Sequence, residues 1–157
     1  TASLMEEQVV DMTPLVDILG NRGQRLYRMT PVASDVPERS VTRIAPTAAA
    51  TGADWAARWP RPSRLMARPE AIEVVALLPD QPPAVFTWRG KRRRVKRADG
   101  PERIFGEWWT RPREMQAVRD YFIVEDEQGE RYWVYRAGDG IDPQTGSHRW
   151  FIHGVFG

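Results

Sequence analysis

Two hydrophobic periods divide the chain. Leu15, Val16, Ile18 and Leu19 form one stripe at helical spacing, with Thr13 placed as a hydroxyl N-cap, Pro14 at the first helical position, and Gly20 and Gly23 as stops. A short helix is predicted there, followed by a weakly alternating strand at Arg25 to Met29, so residues 1–29 form a first segment. Over residues 30–68 the pattern lapses. Pro31, Pro37, Pro46, Pro60 and Pro62, with the string TAAATGA, fix φ and remove donors, which predicts a Pro/Ala-rich extended connector. Within it Trp55 and Trp59, four apart in DWAARW, predict one helical turn that docks on something apolar.

From residue 69 onward the period becomes two. Ile72 to Leu78 reads as an apolar strand. Ala84 to Arg89 and Lys91 to Arg97 read as a hairpin turning at Gly90, and Glu102 to Phe105 as a further strand. The string GEWWTRPREMQAVRD leads through Trp108 and Trp109 into a helical turn around Arg113 to Val118. The clearest hairpin pairs Tyr121 to Asp126 with Arg131 to Arg136 across Gln128-Gly129, and Arg149 to His153 is the last strand. In that hairpin one face is assigned to Tyr121, Ile123, Tyr132 and Val134, the other to Phe122, Val124, Trp133 and Tyr135. Both faces are apolar and each must be covered, which a closed barrel or a backed sheet achieves. Residues 69–157 are therefore expected to form a small β-rich domain. The fold class is mainly β: an antiparallel, barrel-like or strongly bent sheet of about six strands, preceded by the short helix and the connector.

Composition narrows the function. The 157 residues are 41% apolar and 28% charged, as in a globular chain, and suffice for one ordinary domain or two small ones. No cysteine is present, which excludes a disulfide framework, a thiol nucleophile and thiolate metal sites; two histidines leave little for zinc or a His-based triad. No apolar run approaches the roughly 20 residues of a membrane-crossing helix, and the opening at Thr1 reads as a piece of a longer polypeptide. The net charge of +2 hides an asymmetry. All of the 23 basic residues except Lys91 and Lys96 are arginine, a planar fork suited to carboxylate, phosphate and aromatic contacts. Arg89, Lys91, Arg92, Arg93, Arg94, Lys96 and Arg97 follow Trp88 with no acid among them, whereas acids dominate from Glu125 to Asp142.

The acidic stretch carries no clear chemistry. Asp139, Asp142 and Thr145 lack the alternation and terminal Glu of a calcium loop. Glu125 and Asp126 are adjacent on a strand and face opposite ways, which does not suit a carboxylate pair. His148 and His153 have no nucleophile elbow beside them, and His153 reads as a packed, hydrogen-bonded side chain. No catalytic residue, metal or cofactor is assigned. Two binding sites are. Arg92, Arg94 and Lys96 alternate on one face of the basic hairpin, about 7 Å apart by strand rise, with Phe86 and Trp88 available to stack bases. Trp88, Lys91, Arg92, Arg93, Arg94, Lys96 and Arg97 are thus the nucleic-acid candidates, for single-stranded or template DNA. Trp55, Trp59, Trp108, Trp109 and Arg89 are the protein-partner candidates, because tryptophan and arginine dominate interface hot spots.

Longer strings carry a resemblance. RPSRLMARPEAIEVVALLPDQPPAVFTWRG, RADGPERIFGEWW, RDYFIVEDEQGERYWVYR and RWFIHGVFG, with PLVDILGNRG and TPVASDVPERSV upstream, closely resemble the C-terminal region of the ImuB family. Its members are catalytically inactive relatives of the Y-family DNA polymerases and belong to the bacterial mutasome. The resemblance covers about Pro14 to Gly157. It implies a non-catalytic adaptor, cytoplasmic and nucleoid-associated, that joins an ImuA-like RecA-related accessory protein to an error-prone C-family DNA polymerase in damage-induced synthesis. The sliding clamp is the family's further partner. EEQVVDM, with Gln8, Val9 and Met12, matches the clamp-binding peptide poorly, so that motif is expected upstream of Thr1.

Overall fold

In a computed structural model of the chain, residues 11–49, 52–54 and 60–157 are described. They belong to two compact units divided after Trp55. The candidates Trp55 and Trp59 both lie outside the described residues.

The first unit holds helix α1 (Thr13–Asn21) and an antiparallel pair, β1 (Arg28–Pro31) with β2 (Val41–Ile44), in which Arg28 faces Ile44 and Pro31 faces Val41. Thr13 is the first helical residue rather than the cap; its N–H donates to the Asp11 carboxylate at 2.9 Å. Strand β2 and a short 3-10 turn at Pro37–Arg39 fall where an extended connector is read from the prolines. Local bonds build that turn: Ser34 Oγ accepts from Val36 N–H at 3.2 Å, and Ser40 Oγ donates to the Pro37 carbonyl at 2.8 Å. Prolines here define the loop of a hairpin, and Val41 to Ile44 supplies its second arm.

The second unit is a closed antiparallel barrel of six strands in sequence order: β3 (Arg64–Ala76), β4 (Pro83–Trp88), β5 (Lys91–Phe105), β6 (Val118–Asp126), β7 (Arg131–Ala137) and β8 (Trp150–Val155). An even number of alternating strands lets β3 close on β8 in antiparallel register, Ile72 facing Trp150 and Arg64 facing Val155. Closure needs stagger, and the two long strands supply it. The first part of β3 pairs with β8 and its last residues, Glu73 to Ala76, with β4. Likewise Lys91 to Arg94 of β5 pair with β4, and Val95 to Phe105 with β6. The segments read separately as Lys91 to Arg97 and Glu102 to Phe105 are thus one strand, which bends through register shifts after Val95 and after Asp99. A bulge adds a residue, and adding one residue exchanges the faces that follow.

Ile72, Phe86, Phe122, Val124, Tyr132, Val134 and Ile152 fill the interior. This corrects the faces of the central hairpin. Phe122 faces Val134 and Val124 faces Tyr132 inside, whereas Tyr121, Ile123, Trp133 and Tyr135 share the outside. The four-residue connection 127–130 sets this register, and spacing along each strand alone cannot. The outer rings are still buried: Tyr121 stacks on Trp133 with centroids 4.1 Å apart, and the Arg61 guanidinium lies 5.0 Å over the Trp133 ring. Arg61 is fixed there by a bidentate pair with Glu102 at 2.6 and 2.7 Å.

Candidate functional site

In an antiparallel meander the connections alternate between the two rims. Loops 77–82, 106–117 and 138–149 therefore leave the same rim, at the ends of β3, β5 and β7. Arg136 ties two of them together. Its buried guanidinium donates to the carbonyls of Pro79, Gly138 (3.2 Å) and Asp139 (2.7 Å) and to Asp120 Oδ2 (2.8 Å). Asp120, equally buried, also receives Arg103 in a bidentate pair at 2.7 and 2.8 Å. Gly140, at φ +86°, closes over this knot; a Cβ there would sit 2.6 Å from Arg136 Cζ and 2.6 Å from the Pro79 carbonyl oxygen. The Gly138 N–H donates to the Val118 carbonyl at 2.8 Å and so joins the start of the third loop to the residue that follows the second.

Loop 106–117 presents the tryptophan pair. Its base is shut by the Gly106 N–H on the Ala117 carbonyl at 2.9 Å, and Gly106 packs so closely that a Cβ would lie 2.5 Å from Glu114 Cβ. Glu107 carbonyl accepts from Thr110 and Arg111 N–H, and a 3-10 turn at Pro112–Glu114 follows; the short helical turn expected around Arg113 to Val118 is thus confined to its start, and Val118 already opens β6. The loop is thus held by its own backbone. Trp108 and Trp109 take no part in that and project outward, 53% and 66% exposed, their rings edge to face at 6.0 Å. Consecutive residues of a strand would face opposite ways; a turn lets both face solvent.

The sequence shows only this pair, and the fold extends it. Among the described residues of the barrel unit, the large exposed apolar side chains are Val75, Leu77 and Leu78 at the first loop, Phe105, Trp108, Trp109 and Met115 at the second, and Ile141 at the third, with Leu65 elsewhere. All but Leu65 sit at one pole. An open cavity of about 430 Å³ lies there, lined in part by Leu77, Leu78, Pro79, His148 and Trp150. Closure leaves the barrel no free sheet edge, so this surface consists of loop and strand-end side chains.

The third loop's acids serve the loop itself. Asp139 Oδ1 accepts from the N–H groups of Ile141 and Asp142, both at 2.8 Å, and those two bonds hold its carboxyl down at about 2. Asp142 Oδ1 caps Gln144 N–H at 2.8 Å. His153 is fully buried with Nδ1 2.8 Å from the Tyr121 hydroxyl, and His148 Nε2 lies 3.1 Å from the Asp142 carbonyl oxygen.

Along β5 the candidates part company. Arg92, Arg94 and Lys96 are exposed, with Lys91 and Arg97. The shift after Val95 brings Ala98 inward, so Lys96 and Arg97 both remain outside. Arg93 does not join them. It is buried, donates from Nε to the Tyr132 hydroxyl at 2.8 Å, and lies 3.7 Å from Asp126. Burial, and then a bond to Glu130, push the Tyr132 phenol up to about 12. The expected base-stacking pair also turns inward: Phe86 is sealed in the core, and the part-buried Trp88 packs against Tyr132 and donates from Nε1 to Glu70 at 2.7 Å. Arg89, placed with the protein-partner candidates, grips the same Glu70 at 2.6 and 3.0 Å.

The second unit is thus a small closed barrel with an apolar pole and a cationic strand. The chain belongs to the family described as Domain of unknown function (DUF6504), whose model matches residues 65–156. It is 46% identical, over 93% of its own length, to "Protein ImuB" of Caulobacter vibrioides strain NA1000 / CB15N, and equally to that of strain ATCC 19089 / CIP 103742 / CB 15. The resemblance carried by the sequence strings is borne out. The chain spans about a third of the length of those relatives, 33% in each case. No solved structure matches it.

Proposed function

We propose that the chain is a non-catalytic interaction module of an ImuB-like translesion factor, which docks an ImuA-like RecA-related accessory protein or an error-prone C-family DNA polymerase on the apolar pole. One observation carries the reading: the large exposed apolar side chains of the barrel, Leu65 apart, gather at three loops of one rim, the first and third tied together by Arg136 and the third joined to the end of the second by the Gly138–Val118 hydrogen bond. Two exposed indoles held by a self-bonded loop are pre-organised, so little ordering entropy opposes docking. The similarity to ImuB at 46% identity supports a role in mutagenic DNA synthesis. The sliding clamp is a further partner in this reading, and the working place is the nucleoid.

Calorimetric titration of the chain with each purified partner tests this. Trp108→Ala with Trp109→Ala is expected to weaken one partner about 30-fold or more, the scale of a hot spot of about 2 kcal/mol. Unchanged affinity for both partners in that variant and in Leu77→Ala with Leu78→Ala refutes the assignment.

A further inference from the structure

We infer that the outer face of β5 is a track for the phosphodiester backbone of DNA that reads phosphates alone and is indifferent to base sequence and strandedness. The track stands apart from the pole, since its residues open β5 whereas the tryptophan loop follows the strand's end. Lys91, Arg92 and Lys96 are exposed, and no carboxylate pairs with any of them among the described residues. Arg94 and Arg97 extend the row under restraint, Arg94 lying 3.8 Å from Glu127 and Arg97 3.6 Å from Asp99. Glu125 also faces Arg97 across the β5–β6 ladder. Beside the row, Val85 and Thr87 of β4 face Arg94 and Arg92 and add no acid.

The inward turn of Phe86 and Trp88 sets the mode of binding. Stacking platforms are what give a protein its preference for unpaired bases, and this face has none. What remains is Arg92, Arg94 and Lys96 about 7 Å apart along one face of the strand, a spacing at which neighbours engage separate phosphates of one backbone, with Lys91 beside Arg92 at the turn that opens the strand. Free cations release counterions on binding, so three of them give a salt slope of about 0.9 per phosphate, or about −2.7 on duplex DNA, and about −2.1 on single strands. The paired cations are a reserve that Glu127 and Asp99 hold back.

Fluorescence anisotropy of the full 157-residue chain with a labelled duplex and a labelled single strand of equal length, over a salt series, tests the proposal. The expected result is binding to both, with affinity falling roughly 40-fold between 50 and 200 mM salt on duplex. Lys91→Ala, Arg92→Ala and Lys96→Ala together abolish it with the thermal midpoint unchanged. Glu127→Gln with Asp99→Asn binds more tightly and steepens the slope toward about −4.5. That gain cannot arise from misfolding. Strong preference for the single strand with a shallow slope overturns the proposal in favour of base stacking. Capture by phosphatidylserine vesicles but not by DNA overturns it in favour of a lipid surface. No response of affinity to the triple variant overturns the site itself. None of these outcomes depends on the apolar pole, so the two readings stand or fall separately.

Discussion

Replacing Arg136 by methionine keeps much of its apolar length and removes its charge. Its guanidinium has four acceptors, the Asp120 carboxylate and the carbonyls of Pro79, Gly138 and Asp139, all within a buried rim. Removing one member of a buried ion pair costs about 3–5 kcal/mol, because the partner's charge stays in a low-dielectric site. Here Asp120 keeps Arg103 at 2.7 Å, which offsets part of that loss. The lower end, about 3 kcal/mol, is therefore expected. Stabilities run about 5–15 kcal/mol, and each kilocalorie moves the midpoint of a domain this size by about 4–8 °C, so the melting temperature falls by some 12 °C or more. Arg103→Met is the internal comparison: its side chain is 43% exposed and touches only Asp120 within the knot, so about 1 kcal/mol is lost. Adding Asp120→Asn to Arg136→Met costs less than the sum, since it removes the stranded charge. Denaturant unfolding measures all four proteins, and amide exchange at Ile141 and Asp142 reports whether the loop is freed before global unfolding. Equal losses for Arg136→Met and Arg103→Met, or a loss below about 1 kcal/mol for the former, refute the idea that Arg136 is the clamp.

The tryptophans divide by position. Trp133→Ala, which empties a stacked and buried site, costs about 3–5 kcal/mol, whereas Trp108→Ala leaves unfolding within about 0.5 kcal/mol; similar losses for the two would contradict the exposures. The Glu70 carboxyl is held at about 2, below its ordinary 4.5, by Arg89 first and then by the Trp88 indole. A depressed folded value means that the link between β3 and the β4–β5 turn is complete above about 4.5 and is lost as the pH falls toward 2. The Trp88 indole N–H resonance tracks this loss, and a midpoint near 4.5 would show that the bonds do not persist in solution.

Legibility followed the distance over which each feature is decided. Alternation and turn chemistry are local, so the hairpin arms at Ala84 to Arg97 and Tyr121 to Arg136 could be read directly, as could the about-six-strand β class. Register is not local: nothing in Tyr121-Phe122-Ile123-Val124 says which pair faces inward, because both pairs are apolar, and even on the outer pair Tyr121 is buried and Ile123 half-buried. Arg93 shows the same limit. In a run of cations it looks like its neighbours, and only the position of Tyr132 and Asp126 on other strands makes it an interior residue. Its signal was present in the period-two pattern, where Arg93 falls on the face of Val95, opposite Arg92 and Arg94. The apolar pole was half legible. Trp108 and Trp109 announce themselves by composition, whereas Val75, Leu77, Leu78 and Ile141 read as ordinary strand ends and loops until the meander places their loops on one rim.

Closure of the barrel explains why the surfaces lie where they do. Open sheets recruit partners by adding a strand, through main-chain hydrogen bonds at a free edge. With β3 bonded to β8 the barrel offers no such edge, so recognition falls to side chains, and a small barrel has two kinds of place for them. Outer strand faces give straight rows with fixed spacing, suited to a repeating ligand such as a phosphate backbone. Rim loops give compact, irregular clusters, suited to a shaped protein surface. The chain puts cations on the one and aromatic and aliphatic groups on the other. It stiffens the rim with a buried ion-pair knot that the strand face does not need, because there the sheet already fixes the spacing.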